Sequence, residues 1–184
     1  MLAPQENQRY TYADYCTWDD GERWELIRGE AFVMESPSRY HQGASRELLV
    51  QLANFLNDKE SRVYSAPFDV RLNADTLDDT VVQPDIIVFC DRSKLDDAGC
   101  KGAPDMAIEI LSPSSVRHDR FVKLRLYQDA GVREYWIVDP ESRTVSVYTL
   151  EYGKYIANAY SDEDVAPVSI LEGCEIDLHD VFMD

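Results

Sequence analysis

The sequence predicts a mixed α/β domain in which a β-sheet is flanked by helices, with an N-terminal β-hairpin and a C-terminal antiparallel meander. Short apolar runs typical of buried strands alternate with two amphipathic helices. A strand, helix, strand order in the middle of the chain implies one parallel strand pair, and the hairpins imply antiparallel neighbours. At 184 residues, the chain is long enough for one such domain, which we expect to span residues 1–184.

The first half of the chain carries one strong helix signal among short strand signals. Apolar residues recur at helical spacing from His41 to about Asn57 and predict an amphipathic helix. The other predicted elements are a short capped turn at Thr11–Asp14, a hairpin of Trp24–Ile27 and Glu30–Met34 around Arg28–Gly29, and strands at Arg62–Ser65 and Phe68–Leu72.

The second half alternates loops with apolar strands and contains a second helix. The polar segments Asn73–Thr80 and Asp91–Pro104 are predicted loops. Ser112–Ser115 supplies a cap for a helix that runs to about Ala130 and ends at Gly131. The predicted strands are Asp85–Cys90, Met106–Leu111, Glu134–Asp139, Arg143–Leu150 and Tyr155–Ala159.

Composition points to a globular protein away from membranes. Hydrophobic residues make up 45% of the chain, as in ordinary globular domains. No apolar run approaches the roughly 20 residues of a membrane span. The first ten residues, MLAPQENQRY, lack the basic and apolar regions of a secretory signal, so we expect a cytoplasmic protein.

Several chemistries are excluded by missing motifs. The sequence contains no G-x-S-x-G, Walker, G-x-G-x-x-G or H-E-x-x-H motif. Its four cysteines form no C-x-x-C pair, which argues against a zinc site or a disulfide framework. We therefore expect Cys16, Cys90, Cys100 and Cys174 to be small buried hydrophobic residues.

The charge distribution constrains possible partners. A net charge of −17 argues against non-specific, tight binding to nucleic acid, because phosphate contacts need Lys and Arg. However, the segment from Ser112 to Arg133 carries five basic residues against two acidic ones. This net-basic stretch coincides with the candidate site described next, although such a run is usually a solvated helix face.

Glu109 lies in the middle of the apolar strand MAIEIL, where an ionised carboxylate requires compensation. Asp85 opens a second apolar strand, PDIIVFC, and Lys123 lies on the helix that follows the Glu109 strand. Two carboxylates and a lysine in apolar elements predict a metal-dependent hydrolytic site.

Two Pro-Asp pairs compete for the first carboxylate. Asp105 precedes Glu109 by four residues on one strand, which separates them by about 13 Å. Ligands of a common Mg²⁺ lie about 2.1 Å from the ion and cannot be that far apart. Asp85 belongs to another strand that can lie beside Glu109, so it is the better candidate, and Asp105 is expected to be a strand-entry or turn residue.

The helix after Glu109 gives independent support. On a 100° wheel, Asp119, Arg120 and Lys123 fall inside the apolar arc and need partners on the preceding strand. The alternative is a buried structural ion-pair network that joins helix to sheet. The predicted arc comprises Val116, Val122, Leu124, Leu126, Tyr127 and Ala130, and the opposite face comprises Arg117, His118, Arg125 and Gln128.

Two further polar residues have open interpretations. His41 lies on the inward stripe of its helix, where it is either a structural, hydrogen-bonded imidazole or part of the site. Glu25 is either a site carboxylate or an exposed residue of the hairpin.

As a set, these motifs resemble the PD-(D/E)XK nuclease superfamily and, within it, the Uma-type restriction endonuclease family. The resemblance covers Tyr12 to about Tyr148 and implies a restriction-endonuclease-like fold. It rests on the motifs WELIRGEAFVMESPS, HQ at His41–Gln42, VQPDIIVF, GAPDMAIEILSPSS, the spaced Asp119, Lys123 and Tyr127, and GVREYWIVDP.

The resemblance implies roles for individual residues. In the superfamily, a lysine normally lies two residues after the second carboxylate, a position that is Leu111 here, so Lys123 is expected to reach the same point from the helix. The implied catalytic residues are Asp85, Glu109 and Lys123; the implied ligands of Mg²⁺ or Mn²⁺ are Asp85, Glu109 and the carbonyl of Ile110; the implied accessory residues are His41, Gln42, Glu25, Arg120 and Tyr127.

These residues and the resemblance are compatible with two functions. The first is a metal-dependent DNA endonuclease that hydrolyses phosphodiester bonds, acting as a homodimer if both strands of a duplex are cut. The second is a non-catalytic interaction module that retains the nuclease fold, which the missing in-strand lysine would permit.

Overall fold

The computed structural model describes residues 3–5, 7–113 and 115–183, so Ser114, which belongs to the expected helix cap, lies outside the described residues. The strands are β1 (Arg23–Ile27), β2 (Glu30–Met34), β3 (Arg62–Ser65), β4 (Val70–Arg71), β5 (Val81–Val82), β6 (Ile86–Phe89), β7 (Leu95–Asp96), β8 (Gly99–Lys101), β9 (Met106–Ile110), β10 (Glu134–Asp139), β11 (Thr144–Glu151), β12 (Lys154–Ser161), β13 (Val165–Pro167) and β14 (Glu175–Asp177). The α-helices are α1 (Tyr12–Tyr15), α2 (Arg39–Phe55), α3 (Leu124–Ala130) and α4 (Leu178–Val181), accompanied by a 3-10 turn at Arg92–Lys94 and a π-helical segment at His118–Lys123.

The central sheet has the strand order β12-β11-β10-β9-β6-β3. Strands β9 and β10 are parallel, as the strand, helix, strand connection predicted, and the other neighbours are antiparallel. Strands β10 to β12 form the predicted C-terminal meander. The mixed α/β class expected from the sequence is therefore confirmed.

Strands β6, β9 and β10, in the middle of the central sheet, are buried on both faces. On one face, Ile108, Trp136 and Val138 pack with the apolar stripe of α2. On the other face, Ile87 and Ile137 belong to a core that includes residues of α3 and of the hairpin. Because both faces are covered, the central strands are apolar throughout, which is why they were recognisable as strands.

A second sheet was not expected. Its order is β2-β1-β5-β4-β8-β7, so the N-terminal hairpin belongs to this sheet and not to the central one. Its β7 and β8 lie in Asp91–Pro104, which was predicted to be a loop. Strands of two or three residues are too short to show a period-two pattern, which explains the error.

The hairpin turn itself agrees with its sequence. Arg28 and Gly29 have φ angles of 51° and 81°, as a two-residue type I′ connection requires. The register pairs Glu25 with Phe32 and Leu26 with Ala31. Residues paired across the strands share a face, so Glu25, Phe32 and Met34 lie on the face of the hairpin that lines the cleft described below.

The helix wheel is partly wrong for the helix after Glu109. Val116 and Val122 are exposed, whereas His118, assigned to the outer face, is half-buried. The cause is the π-helical segment, whose wider turns shift the residues away from α-helical spacing. Asp119 and Lys123 are nonetheless buried, and Gly131 ends the helix with a φ of 84° as expected.

The C-terminal elements β13, β14 and α4 were also not predicted. Ala166, Ile176 and Leu178 from these elements are buried in the core on the α2 side. Cys100 and Cys174 are buried as expected, but Cys90 is only half-buried and Cys16 is exposed. In the part of the chain that the structure describes, no helix is both long and apolar enough to cross a membrane.

Candidate active site

The two strands that carry the predicted carboxylates are direct neighbours. Strand β6 pairs antiparallel with β9, with Ile86 opposite Ile108, so the same register continued by one residue puts Asp85 opposite Glu109. The backbone N–H of Ile110 donates a hydrogen bond to Asp85 Oδ2 at 2.7 Å. The sequence-predicted pair is thus brought together at one end of the β6–β9 ladder.

Asp105 performs the matching structural task at the other end of the ladder. The backbone N–H of Cys90 donates to Asp105 Oδ2 at 2.7 Å, and Arg133 forms an ion pair with Asp105 Oδ1 at 3.1 Å. Each of the two aspartates that follow a proline therefore accepts a hydrogen bond from the backbone at the end of the opposite strand. They differ in surroundings, since Asp85 lines a cleft and Asp105 is not among the described residues that line it.

Lys123 lies in the centre of an acidic cluster. Its ammonium group donates hydrogen bonds to Glu109 Oε1 and Glu25 Oε1, each at 2.8 Å. Asp119 Oδ1 is further away, at 3.7 Å from Nζ. Glu25 is therefore part of the cluster and not an exposed hairpin residue.

The cluster is buried, which perturbs its titration. Burial is the main cause that raises the pKa of Glu109 well above its ordinary value; Lys123 opposes this rise, and the neighbouring carboxylates add to it. Burial likewise raises the pKa of Asp119. For Lys123, burial disfavours the charged form, but the carboxylates of Glu109 and Glu25 outweigh it, so its pKa is raised well above the ordinary value.

Hydrogen bonds hold the members of the cluster in place. The hydroxyl of Tyr127 donates to Glu109 Oε1 at 2.7 Å, and the backbone N–H of Gln83 donates to Glu25 Oε1 at 2.8 Å. The hydroxyl of Tyr135 donates to the carbonyl of Asp119 at 3.1 Å. Helix and both sheets thus contribute to one polar network under the cleft.

His41 approaches the site from the N-terminus of α2. Its backbone N–H donates to the N-cap residue Ser38, and its Nε2 lies 3.2 Å from Asp85 Oδ2. Its Nδ1 is buried without a hydrogen-bond partner in the described part of the chain. Asp85 is consequently held between the imidazole of His41 and the backbone of Ile110.

His118 is a cleft residue that sequence reasoning assigned to the outer face. Its ring packs against Phe32 with centroids 4.7 Å apart. Burial, reinforced by the charge of Lys123, lowers the pKa of His118. Within the described residues its Nε2 has no hydrogen-bond partner. Its position next to Asp119 in the sequence was a weak signal for a site residue. The α-helical wheel nevertheless placed it on the outer face, because the wheel does not allow for the wider turns of the π-helical segment.

The cleft has a volume of about 570 Å³ and is lined by Lys123 and its three carboxylate neighbours. Tyr127, which donates to Glu109, is not among the described lining residues. Its described lining includes five carboxylates but only three basic side chains. Exposed Gln42 and buried Ile110 also line it, whereas Arg120 pairs with Asp139 at 3.1 Å and is not among the lining residues. The carboxylates are Glu25, Glu35, Asp85, Glu109 and Asp119, and the basic residues are Arg23, Arg46 and Lys123.

The donor set suits a hard divalent cation. Carboxylate and backbone oxygens are the ligands of Mg²⁺, which typically uses one or two carboxylates together with waters and substrate phosphates. Within the described ranges, no group of three or more His, Cys, Asp or Glu side chains is arranged to hold an ion by itself. An ion shared by protein, water and phosphate is compatible with this arrangement.

Comparison with known proteins finds a matching family and a related sequence. A family model, Uma2, described as "Putative restriction endonuclease", matches residues 11–179. The "Uncharacterized protein slr1290" of Synechocystis sp. (strain ATCC 27184 / PCC 6803 / Kazusa) is 25% identical over 138 residues, covering 73% of this chain and 71% of that protein.

A solved structure is similar in fold. The crystal structure of a protein described as a "putative nuclease belonging to DUF820", from Anabaena variabilis ATCC 29413, superposes with a TM-score of 0.76 at 20% identity. The alignment covers 95% of this chain and 98% of that one.

Proposed function

The chain belongs to the Uma2 family, and on that premise we propose that it is a divalent-metal-dependent nuclease that hydrolyses phosphodiester bonds in DNA. The observation that carries the proposal is the contact between Lys123 and Glu109, made next to Asp85 on the floor of a cleft. Two carboxylates with a lysine beside them form a combination that phosphodiester hydrolysis can use.

Asp85, Glu109 and the carbonyl of Ile110 would hold Mg²⁺ or Mn²⁺. The bound ion would supply Lewis-acid polarisation of the phosphodiester and a bound water of lowered pKa. The excess of carboxylates over basic residues in the cleft supports this assignment, because the floor attracts a divalent cation more readily than a bare phosphate.

Lys123 acts as a permanent cation and not as a general base. The carboxylates of Glu109 and Glu25 keep it protonated, with its pKa raised well above the ordinary value. An ammonium group in a water-poor site stabilises the negative charge that develops on the phosphate during displacement. Glu25 and Asp119 position this ammonium, and Tyr127 positions Glu109.

The in-strand lysine of the wider superfamily is Leu111 here, which would fit a non-catalytic module. In such a module, Lys123 could pair with Asp119 on its own segment. Its Nζ is instead closer to Glu109 than to Asp119, at 2.8 Å against 3.7 Å. This difference favours the enzyme.

The test is Mn²⁺-dependent cleavage of DNA by the wild type and by two matched variants. Asp85→Asn and Asp105→Asn change the same residue type in the same structural role, but only Asp85 lines the cleft. We expect the wild type and Asp105→Asn to cleave DNA, and Asp85→Asn to cleave it at least roughly 100-fold more slowly. Removal of the metal with a chelator should abolish cleavage by all three proteins. Equal cleavage by both variants, or an inactive wild type, would reject the proposal.

A further inference from the structure

The groups assigned to catalysis lie deep in the cleft. The side chains of Lys123 and Glu109 are 4% and 6% exposed, and that of Asp85 is 18% exposed. Duplex DNA is stiff over many base pairs and carries its phosphates on a convex surface. A flexible single strand can follow the cleft to its floor, whereas an intact duplex reaches such a floor only after local deformation.

The wall of the cleft is apolar where a nucleotide would enter. Phe32 and Met34 of β2, which share a face of the hairpin with Glu25, line it together with Pro37. Unpaired bases bind apolar and aromatic side chains through their faces. A duplex keeps these faces stacked inside the helix, so it could not use this wall.

The cationic groups of the cleft suit a short stretch of backbone. Arg23 and Arg46 line the cleft, and Arg23 donates to the neutral acceptor Gln83 Oε1 at 2.7 Å, which leaves its positive charge uncompensated by that contact. With a net charge of −17, the chain lacks the broad basic surface that duplex binding through phosphates uses.

From the depth of the site, its apolar wall and its few cations, we propose that the substrate is single-stranded DNA. A base lies against the β2 wall and its phosphate points toward Lys123. This assignment rests on the proposed nuclease function and narrows its substrate class.

The first experiment compares Mn²⁺-dependent cleavage of one DNA sequence as a single strand and as an annealed duplex, with the RNA of that sequence as a third substrate. We expect the single-stranded DNA to be cut at least about tenfold faster than the duplex, the factor that one stacked base can supply. Equal or faster cleavage of the duplex, or preferred cleavage of the RNA, overturns the assignment and leaves the nuclease function standing. Cleavage of no substrate rejects both.

The second experiment measures binding of the same single strand to two variants that place a charge at an apolar strand residue. Met34→Asp changes the cleft wall, whereas Ile156→Asp changes β12, where Ile156 is 51% exposed. We expect Met34→Asp to weaken binding roughly tenfold and Ile156→Asp to bind as the wild type does. Unchanged binding by Met34→Asp would overturn the role of the wall.

Discussion

At the scale of single residues, Lys123 is both the candidate catalytic cation and a structural tie. It is 3% exposed and contacts Glu25, Glu109 and, at longer range, Asp119. Removing the lysine would leave buried carboxylates without a counter-charge, which costs much more than losing a surface pair. Loss of activity in a Lys123 variant therefore needs a stability measurement beside it.

We predict that Lys123→Ala lowers the free energy of unfolding by about 3–5 kcal/mol near neutral pH, as for other broken buried pairs. The loss should shrink in acid, where the carboxyls take up protons. Urea unfolding measures this change. The control is Lys101→Ala, which breaks an exposed pair with Asp96 and should cost about 1 kcal/mol or less. Equal effects of the two changes would contradict the buried cluster.

The two Pro-Asp aspartates show how far sequence reasoning extends at this scale. Spacing along one strand was sufficient to set Asp105 aside, because a fixed rise per residue gives a distance. No sequence signal showed that Asp85 and Asp105 make matching backbone contacts across the β6–β9 ladder. That relation depends on the pairing register, which the chain alone does not display.

At the scale of secondary-structure elements, the π-helical segment is what brings the site together. It places Asp119 and Lys123 under the cleft while Phe121, between them, is 66% exposed. The α-helical wheel gave the correct orientation for Lys123 but the wrong one for His118, because the wider turns of a π-helix are not encoded in apolar periodicity. Single-turn π segments of this kind frequently occur at functional sites.

We predict that deleting Phe121 converts the segment toward α-helical geometry and breaks the contact between Lys123 and Glu109. The expected loss is about 3–5 kcal/mol of unfolding free energy, the cost of a broken buried pair. Phe121→Ala keeps the chain length and should change stability by about 0.5 kcal/mol or less, as a surface substitution does. A deletion as stable as Phe121→Ala would show that the π geometry is dispensable.

At the scale of the whole molecule, long apolar strands were predictable. Among the strands of two or three residues, β4 lies in the predicted strand Phe68–Leu72, whereas β5, β7, β8, β13 and β14 lie outside the predicted strands. Strands β6, β9 and β10 of the central sheet are buried on both faces, so they appear as apolar runs in the sequence. The second sheet is built mostly from strands of two or three residues, whose pairing depends on tertiary contacts. The cleft includes residues of both sheets, so its shape could not be derived from the central sheet alone.

Buried acids should make stability depend on pH. Burial is the main cause that raises the pKa values of Glu109, Asp119 and Glu134. Each folded acid therefore releases its proton at a higher pH than it does in the unfolded chain. Its contribution to the free energy of unfolding is complete below the unfolded pKa near 4 and is lost as the pH rises through the folded pKa. The strong negative net charge acts in the same direction.

We predict that the urea midpoint of the wild type is higher at about pH 5 than at about pH 8. Glu109→Gln should reduce this difference, because the amide does not titrate, whereas Glu60→Gln, at an exposed position, should leave it unchanged. A midpoint that rises with pH in the wild type would contradict the buried-acid account.

The most direct test of the metal assignment is diffraction at the manganese absorption edge from crystals of the protein soaked in Mn²⁺. We predict an anomalous difference peak between the carboxylates of Asp85 and Glu109, within coordination distance of both and of the Ile110 carbonyl. The peak should vanish in Asp85→Asn crystals and persist in Asp105→Asn crystals. An ion bound elsewhere, or a peak unaffected by Asp85→Asn, would contradict the assignment.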